Sequence, residues 1–167
     1  DGTDALMLSE ETAAGDYPLE AVRIMAQVAE ETETILEPRQ RFAGLAKTIP
    51  EAISVSAISL ARDLEVKAFL IPTTSGGTAR LIARYRPTQP IIAVSADPKT
   101  VKMLCLVWGV YPQPTRGFKN TDEMVRVLQE KALASGIVKR GDLVAITAGL
   151  PLHQSGTTNM ITAKVIE

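Results

Sequence analysis

From Pro18 to Leu36 the positions Leu19, Val22, Met25, Ala29, Thr32 and Leu36 recur every three or four residues, predicting one helix with a single buried face. Pro38 and the polar run 37–41 break it, and Gly44 follows. Thr48-Ile49-Pro50-Glu51 has the spacing of a capping box, so a second helix runs from there to about Leu64 with Ala57, Leu60, Ala61 and Leu64 inward. Short apolar runs then alternate with helical patterns. Strands are expected at 67–72, 91–94, 109–112, 142–147 and 160–166, the last at an edge and open to antiparallel pairing. Helices are expected over 78–85, from the Asp97-Pro98 cap to about Val107, and over 120–136. Strand–helix alternation at this spacing means α/β: a doubly wound, mostly parallel five-stranded sheet with helices on both faces. The run Ala5–Leu8 has strand length, and with the helix after Pro18 it forms a strand–helix unit ahead of that sheet. The expected division is 1–40 and 41–167.

Composition changes this picture little. Of the 167 residues 46% are hydrophobic, 22% charged and only 4% aromatic, so the core is built from Leu, Ile, Val and Ala. A net charge of −1 offers nothing to nucleic acid or an anionic membrane, and no apolar run reaches membrane-spanning length. Arg80, Arg84 and Arg86 with Tyr85 form a small basic cluster, which reads as a solvated helix face. The single Cys105 sits in an apolar run and is expected to be buried and inert.

Two loops carry candidate chemistry. Thr73, Thr74, Ser75, Gly76, Gly77 and Thr78 follow one strand and open a helix. Hydroxyl donors and glycines there allow backbone N–H groups to approach an anion, although the pattern is neither a Walker loop nor GxGxxG. The same residues also suit a tight turn in which Thr74 or Ser75 caps the helix. The second loop, 148–159, contains His153, Ser155, Gly156 and Thr157 after another strand. Neighbouring parallel strands share a C-terminal edge, so both loops are expected to converge on one ligand. His153 serves equally as an anion donor when protonated or as a solvent-exposed loop residue. Arg116 and Lys119 lie in a further polar loop and would add positive charge. Ser54, Ser56 and Ser59, interleaved with small residues, suit close packing, either against another subunit or within the domain.

The stretch DGTDALMLSEETAAGDYPLEAV, with TSGGTARLIARYRP, PIIAVS, LVWGVYP, GDLVAITAGLP and TTNMITAKVI, resembles the C-terminal part of the pyruvate kinase family. Glu10 and His153 depart from the glycines common there. The resemblance implies that 1–40 hold the last strand and helix of a (β/α)8 catalytic barrel and that 41–167 form a regulatory domain. It implies a parent enzyme that transfers phosphoryl from phosphoenolpyruvate to ADP with Mg²⁺ and K⁺, in the cytoplasm, as a homotetramer. Ser9 and Glu11 would then support enolpyruvate protonation, while the metal, nucleotide and phosphoenolpyruvate ligands would lie on a missing catalytic barrel. The residues present are therefore expected to be inactive alone and to carry no cofactor. Their own role would be to bind a phosphorylated effector through Thr73–Thr78 and the later loop, and to pair subunits. A free-standing phosphometabolite-sensing or dimerisation module is the alternative.

Overall fold

A computed structural model of the chain describes residues 3–35, 46–152 and 156–167. Contacts divide the chain into residues 1–38 and 39–167. The expected boundary at 40/41 lies outside the described residues.

The first unit contains α1 (Glu10–Ala13) and α2 (Pro18–Ile35). Ala5–Leu8 forms no strand, because a strand requires a hydrogen-bonded neighbour and none pairs with it among the described residues. Leu6 and Met7 are exposed. The periodicity of α2 correctly marks a helix, but no residue of α2 is buried, and Leu19, Val28 and Ile35 are all more than half exposed. Among the described elements of its own unit only the four-residue α1 packs on this 18-residue helix, too little surface to cover an apolar stripe.

The second unit runs α3 (Ile49–Asp63), β1 (Ala68–Pro72), α4 (Gly77–Ala83), β2 (Ile91–Ser95), α5 (Pro98–Leu104), β3 (Val110–Pro114), α6 (Thr121–Ala134), β4 (Leu143–Gly149) and β5 (Thr158–Val165). The sheet order is β3-β2-β1-β4-β5. The first four strands are parallel, with Phe69 opposite Ile91 and Ala145, while β5 runs antiparallel along β4. Each central strand is buried on both faces, as helices on both sides require. On one face Ala57, Ile58 and Ala61 of α3, Ala79 and Ile82 of α4 and Leu104 of α5 pack on Phe69, Ile71, Ile91 and Ala93. On the other, Met124, Leu128 and Ala132 of α6 pack on Leu70, Ile92, Val94, Val144 and Ile146. The doubly wound, mostly parallel five-stranded sheet expected from the sequence is the observed fold.

Capping explains where the helices begin. Thr48 accepts from the Glu51 N–H at 3.4 Å, and the Glu51 carboxylate accepts from the Lys47 N–H at 2.9 Å, one residue before the cap. Asn120 and Glu123 repeat the arrangement with Lys119. Helix α5 ends at Leu104 and gives way to three-residue turns through Val107, shorter than the sequence suggests. Its register turns Leu104 inward and leaves Cys105 exposed, so the expectation of a buried thiol is corrected. Of the three serines of α3, Ser54 is buried with Ala57, Ile58 and Ala61 in internal packing, whereas Ser56 is exposed and Ser59 half-buried. Leu64, read as inward-facing, is about half exposed because it lies beyond the last helical turn.

Candidate functional site

β1 leads through α4 and α5 toward one sheet edge, whereas α6 returns the chain to the other side of β1 for β4. The loops after β1 and β4 therefore part at a topological switch point, where doubly wound sheets open a crevice. A cavity of about 680 Å³ lies there, bordered by both loops.

The loop after β1 is internally braced. The Thr73 N–H donates to the Val94 carbonyl at 2.9 Å, and the Thr73 hydroxyl accepts from the Gly76 N–H at 2.9 Å. Gly76 sits at φ +83°, and a Cβ there would lie 3.1 Å from Leu104, so no other residue takes its place without strain. The Thr74 carbonyl accepts from the buried Thr100 hydroxyl at 2.9 Å, fastening the loop to α5. Thr73, Thr74, Ser75, Gly77 and Thr78 line the cavity, while Gly76 is buried behind them. Neither Thr74 nor Ser75 caps α4; Gly76 occupies the cap position and contributes no side-chain bond. At seven residues α4 has a small dipole, so the hydroxyls and the N–H groups of its first turn, which have no carbonyl within the helix, are the principal donors here.

On the opposite wall, Leu152, Gly156, Thr157 and Thr158 border the same cavity. His153 and Ser155 lie outside the described residues. Gly149 permits the loop to return closely: a Cβ there would lie 2.5 Å from the Thr157 hydroxyl and 3.0 Å from its backbone carbon. Asn159 holds the loop base, accepting from the Leu150 N–H at 2.9 Å and donating to the Leu150 carbonyl at 2.6 Å. The two walls touch through the hydroxyls of Thr78 and Thr158, 2.6 Å apart. Only one of their two protons bridges the pair, so the other can be donated into the cavity.

Among the described lining residues the ionised side chains are Asp97 and Arg116. Lys119, read together with Arg116, does not border the cavity. The Thr100 hydroxyl, followed by the Lys99 N–H, holds the Asp97 carboxyl below its ordinary value. Sequence reading recognised Asp97 only as a cap, and it singled out neither Thr158 nor Asn159; the polar run 157–159 was the available signal. Two arginines of the basic cluster are committed elsewhere. Arg84 pairs with Glu51 at 3.7 Å, and Arg86 lies 5.0 Å over the Trp108 ring.

In the first unit Ser9 and Glu11 are adjacent. The Glu11 carboxylate accepts from the Ser9 N–H at 2.9 Å, and its own backbone N–H, followed by that of Ser9, lowers its pKa. Both residues are exposed. The described residues hold no group of three or more His, Cys, Asp or Glu placed for a metal. No helix among the described residues is long and apolar enough to cross a membrane.

A family model described as pyruvate kinase, alpha/beta domain, matches residues 51–165. The chain is 48% identical over 170 residues to a pyruvate kinase of Geobacillus stearothermophilus, covering 99% of this chain and 29% of that protein. It is 42% identical over 171 residues to a pyruvate kinase of Clostridium acetobutylicum, covering 100% of this chain and 36% of the relative. A pyruvate kinase of Staphylococcus epidermidis is 44% identical over 165 residues, covering 96% and 28% respectively. The chain thus spans about a third of the length of these curated relatives.

Proposed function

The chain belongs to the pyruvate kinase family, as its C-terminal alpha/beta domain, and from that premise we propose that its α/β unit binds a phosphorylated small-molecule effector. The observation that carries this reading is the cavity at the switch point, where two hydroxyl-bearing loops meet through Thr78 and Thr158. A phosphate offers acceptors on every oxygen, matching a wall composed of Thr, Ser and Gly. Arg116 supplies positive charge, and the bonds bracing Thr73 and Thr74 fix the wall before the ligand arrives. His153 and Ser155 belong to the same loop in sequence and complete the proposed set with Gly156 and Thr157.

The catalytic role is that of a larger enzyme: phosphoryl transfer from phosphoenolpyruvate to ADP, with Mg²⁺ and K⁺ supplying electrostatic stabilisation of the transferred group. In this reading Ser9 and Glu11 assist enolpyruvate protonation, and the 167 residues alone turn over no substrate. The setting is cytoplasmic.

We also infer a role in subunit assembly, through the β5 edge. β3, at the opposite edge, carries Pro112 and Pro114, which offer no N–H and discourage pairing, whereas β5 contains no proline across eight residues. Sedimentation velocity over a concentration series is expected to show reversible self-association; a single monomeric species at every concentration contradicts the assembly role.

The effector reading is tested by thermal shift with ribose 5-phosphate, glucose 6-phosphate, fructose 1,6-bisphosphate, AMP and inorganic phosphate. A ligand that binds only the folded form adds about 2.7 kcal/mol at 100 times its dissociation constant. One or more phosphorylated compounds should raise the melting temperature, and Ser75→Asp should abolish the shift by placing a carboxylate in the cradle. No shift with any of them overturns the reading.

A further inference from the structure

The cavity that would receive an anion also contains a carboxylate, and the position of that carboxylate is fixed. Asp97 borders the cavity with Arg116 and the loop after β1. Its Oδ2 accepts from the Thr100 N–H at 3.1 Å and from the Thr100 hydroxyl at 2.8 Å; its Oδ1 accepts from the Lys99 N–H at 3.1 Å. A carboxylate has about four acceptor positions, so these three bonds leave one, on Oδ1. The Thr74 carbonyl lies 2.9 Å from the same Thr100 hydroxyl, whose one proton is shared between it and Oδ2, so Thr100 links Asp97 to the loop proposed to hold the phosphate. No ion pair joins Asp97 to Arg116 among the described residues, and the exposed Asp97 carboxylate, with Lys99 as a nearby positive charge, borders the cavity. A carboxylate so placed repels a phosphate and attracts only a part of the ligand that carries a hydrogen-bond donor.

Resting on the effector reading above, we propose that Asp97 is a specificity-determining residue, whose remaining Oδ1 acceptor takes a hydrogen bond from a hydroxyl of the bound phosphate ester. The β1 loop then holds the phosphate and Asp97 reads the polyol attached to it. Bare phosphate and unhydroxylated monoesters leave the carboxylate without that donor and suffer its repulsion alone. Hydrogen bonds to a charged acceptor are the stronger kind, so the discrimination they supply is about tenfold or more.

The test compares inorganic phosphate, propyl phosphate and ribose 5-phosphate, titrated calorimetrically into the 167-residue chain and its Asp97→Asn variant. Asn is a competent N-cap and retains one carbonyl acceptor for the α5 N–H groups, so the variant should fold. The original chain should bind ribose 5-phosphate about tenfold or more tightly than propyl phosphate. Asp97→Asn should remove most of that preference by weakening ribose 5-phosphate, while phosphate and propyl phosphate bind equally well or more tightly. Asp97→Ser, which also caps, should behave in the same way. If the original chain does not prefer the hydroxylated ester, or if the substitutions weaken all three probes in parallel, Asp97 is only a cap and the proposal is overturned. If no probe binds the original chain, the effector reading itself fails.

Discussion

The hydroxyl pair Thr78–Thr158 is a direct bond between the two walls of the cavity, and breaking it has a calculable consequence. Thr158 is 3% exposed and Thr78 half-buried, with 2.6 Å between their oxygens. Thr78→Val replaces a hydroxyl by a methyl of nearly equal size and leaves the Thr158 hydroxyl buried without this partner. An orphaned buried hydroxyl costs about 1–3 kcal/mol. Thr158→Val should cost less, because Thr78 is closer to solvent and water can replace the lost partner. The double variant restores a matched apolar pair and should be nearly as stable as the original, since replacing both partners avoids the desolvation penalty. Urea unfolding of the four proteins closes a double-mutant cycle, with an expected coupling of about 1–3 kcal/mol or more, the sum of the two single effects. Additive single-site effects would refute the reasoning, because they would mean that the two walls are not energetically joined at this bond.

Other substitutions probe separate parts of the account. Thr147 is fully buried on β4 and its hydroxyl has no partner among the described residues, so Thr147→Val should leave stability unchanged or raise it by about 1 kcal/mol in urea unfolding. Gly149→Ala places a Cβ 2.5 Å from the Thr157 hydroxyl and 3.0 Å from its backbone; it should destabilise the unit by about 1–3 kcal/mol and weaken ribose 5-phosphate binding by calorimetry. The Glu51 carboxyl is held below its ordinary value by the Lys47 N–H first, with Thr48 and Arg84 adding smaller contributions. Folded Glu51 therefore binds a proton less readily than unfolded Glu51. Its stabilisation is full above the ordinary carboxylate range and is lost as pH falls through the lowered folded value, so Glu51→Gln should flatten the acid limb of the stability profile.

Much of the fold could be read from the chain because local signals agreed with one another. Asp97-Pro98 and Thr48-Ile49-Pro50-Glu51 announced helix starts that the structure bears out, and the buried strands read as apolar runs between turns. The failures occurred where tertiary partners decide the outcome. Among the described residues Ala5–Leu8 has the composition of a strand but no strand neighbour with which to bond, and α2 has an apolar stripe with only α1 of its own unit against it. Cys105 was misplaced because an apolar run does not reveal where a helix ends and which residue its last turn directs outward. The β1 loop of the candidate site was recognisable from its glycines and hydroxyls. Asp97 was read only as a cap because nothing local shows that the same carboxylate also borders the crevice between β1 and β4.

The central claim is that one phosphorylated ligand lies between the two loops, and amide chemical-shift mapping tests it most directly. Ribose 5-phosphate titrated into the ¹⁵N-labelled chain should shift the amides of Thr73–Thr78 together with those of Gly156–Thr158, with one shared dissociation constant. Saturable shifts confined to other residues, or no saturable shift at all, would contradict the account.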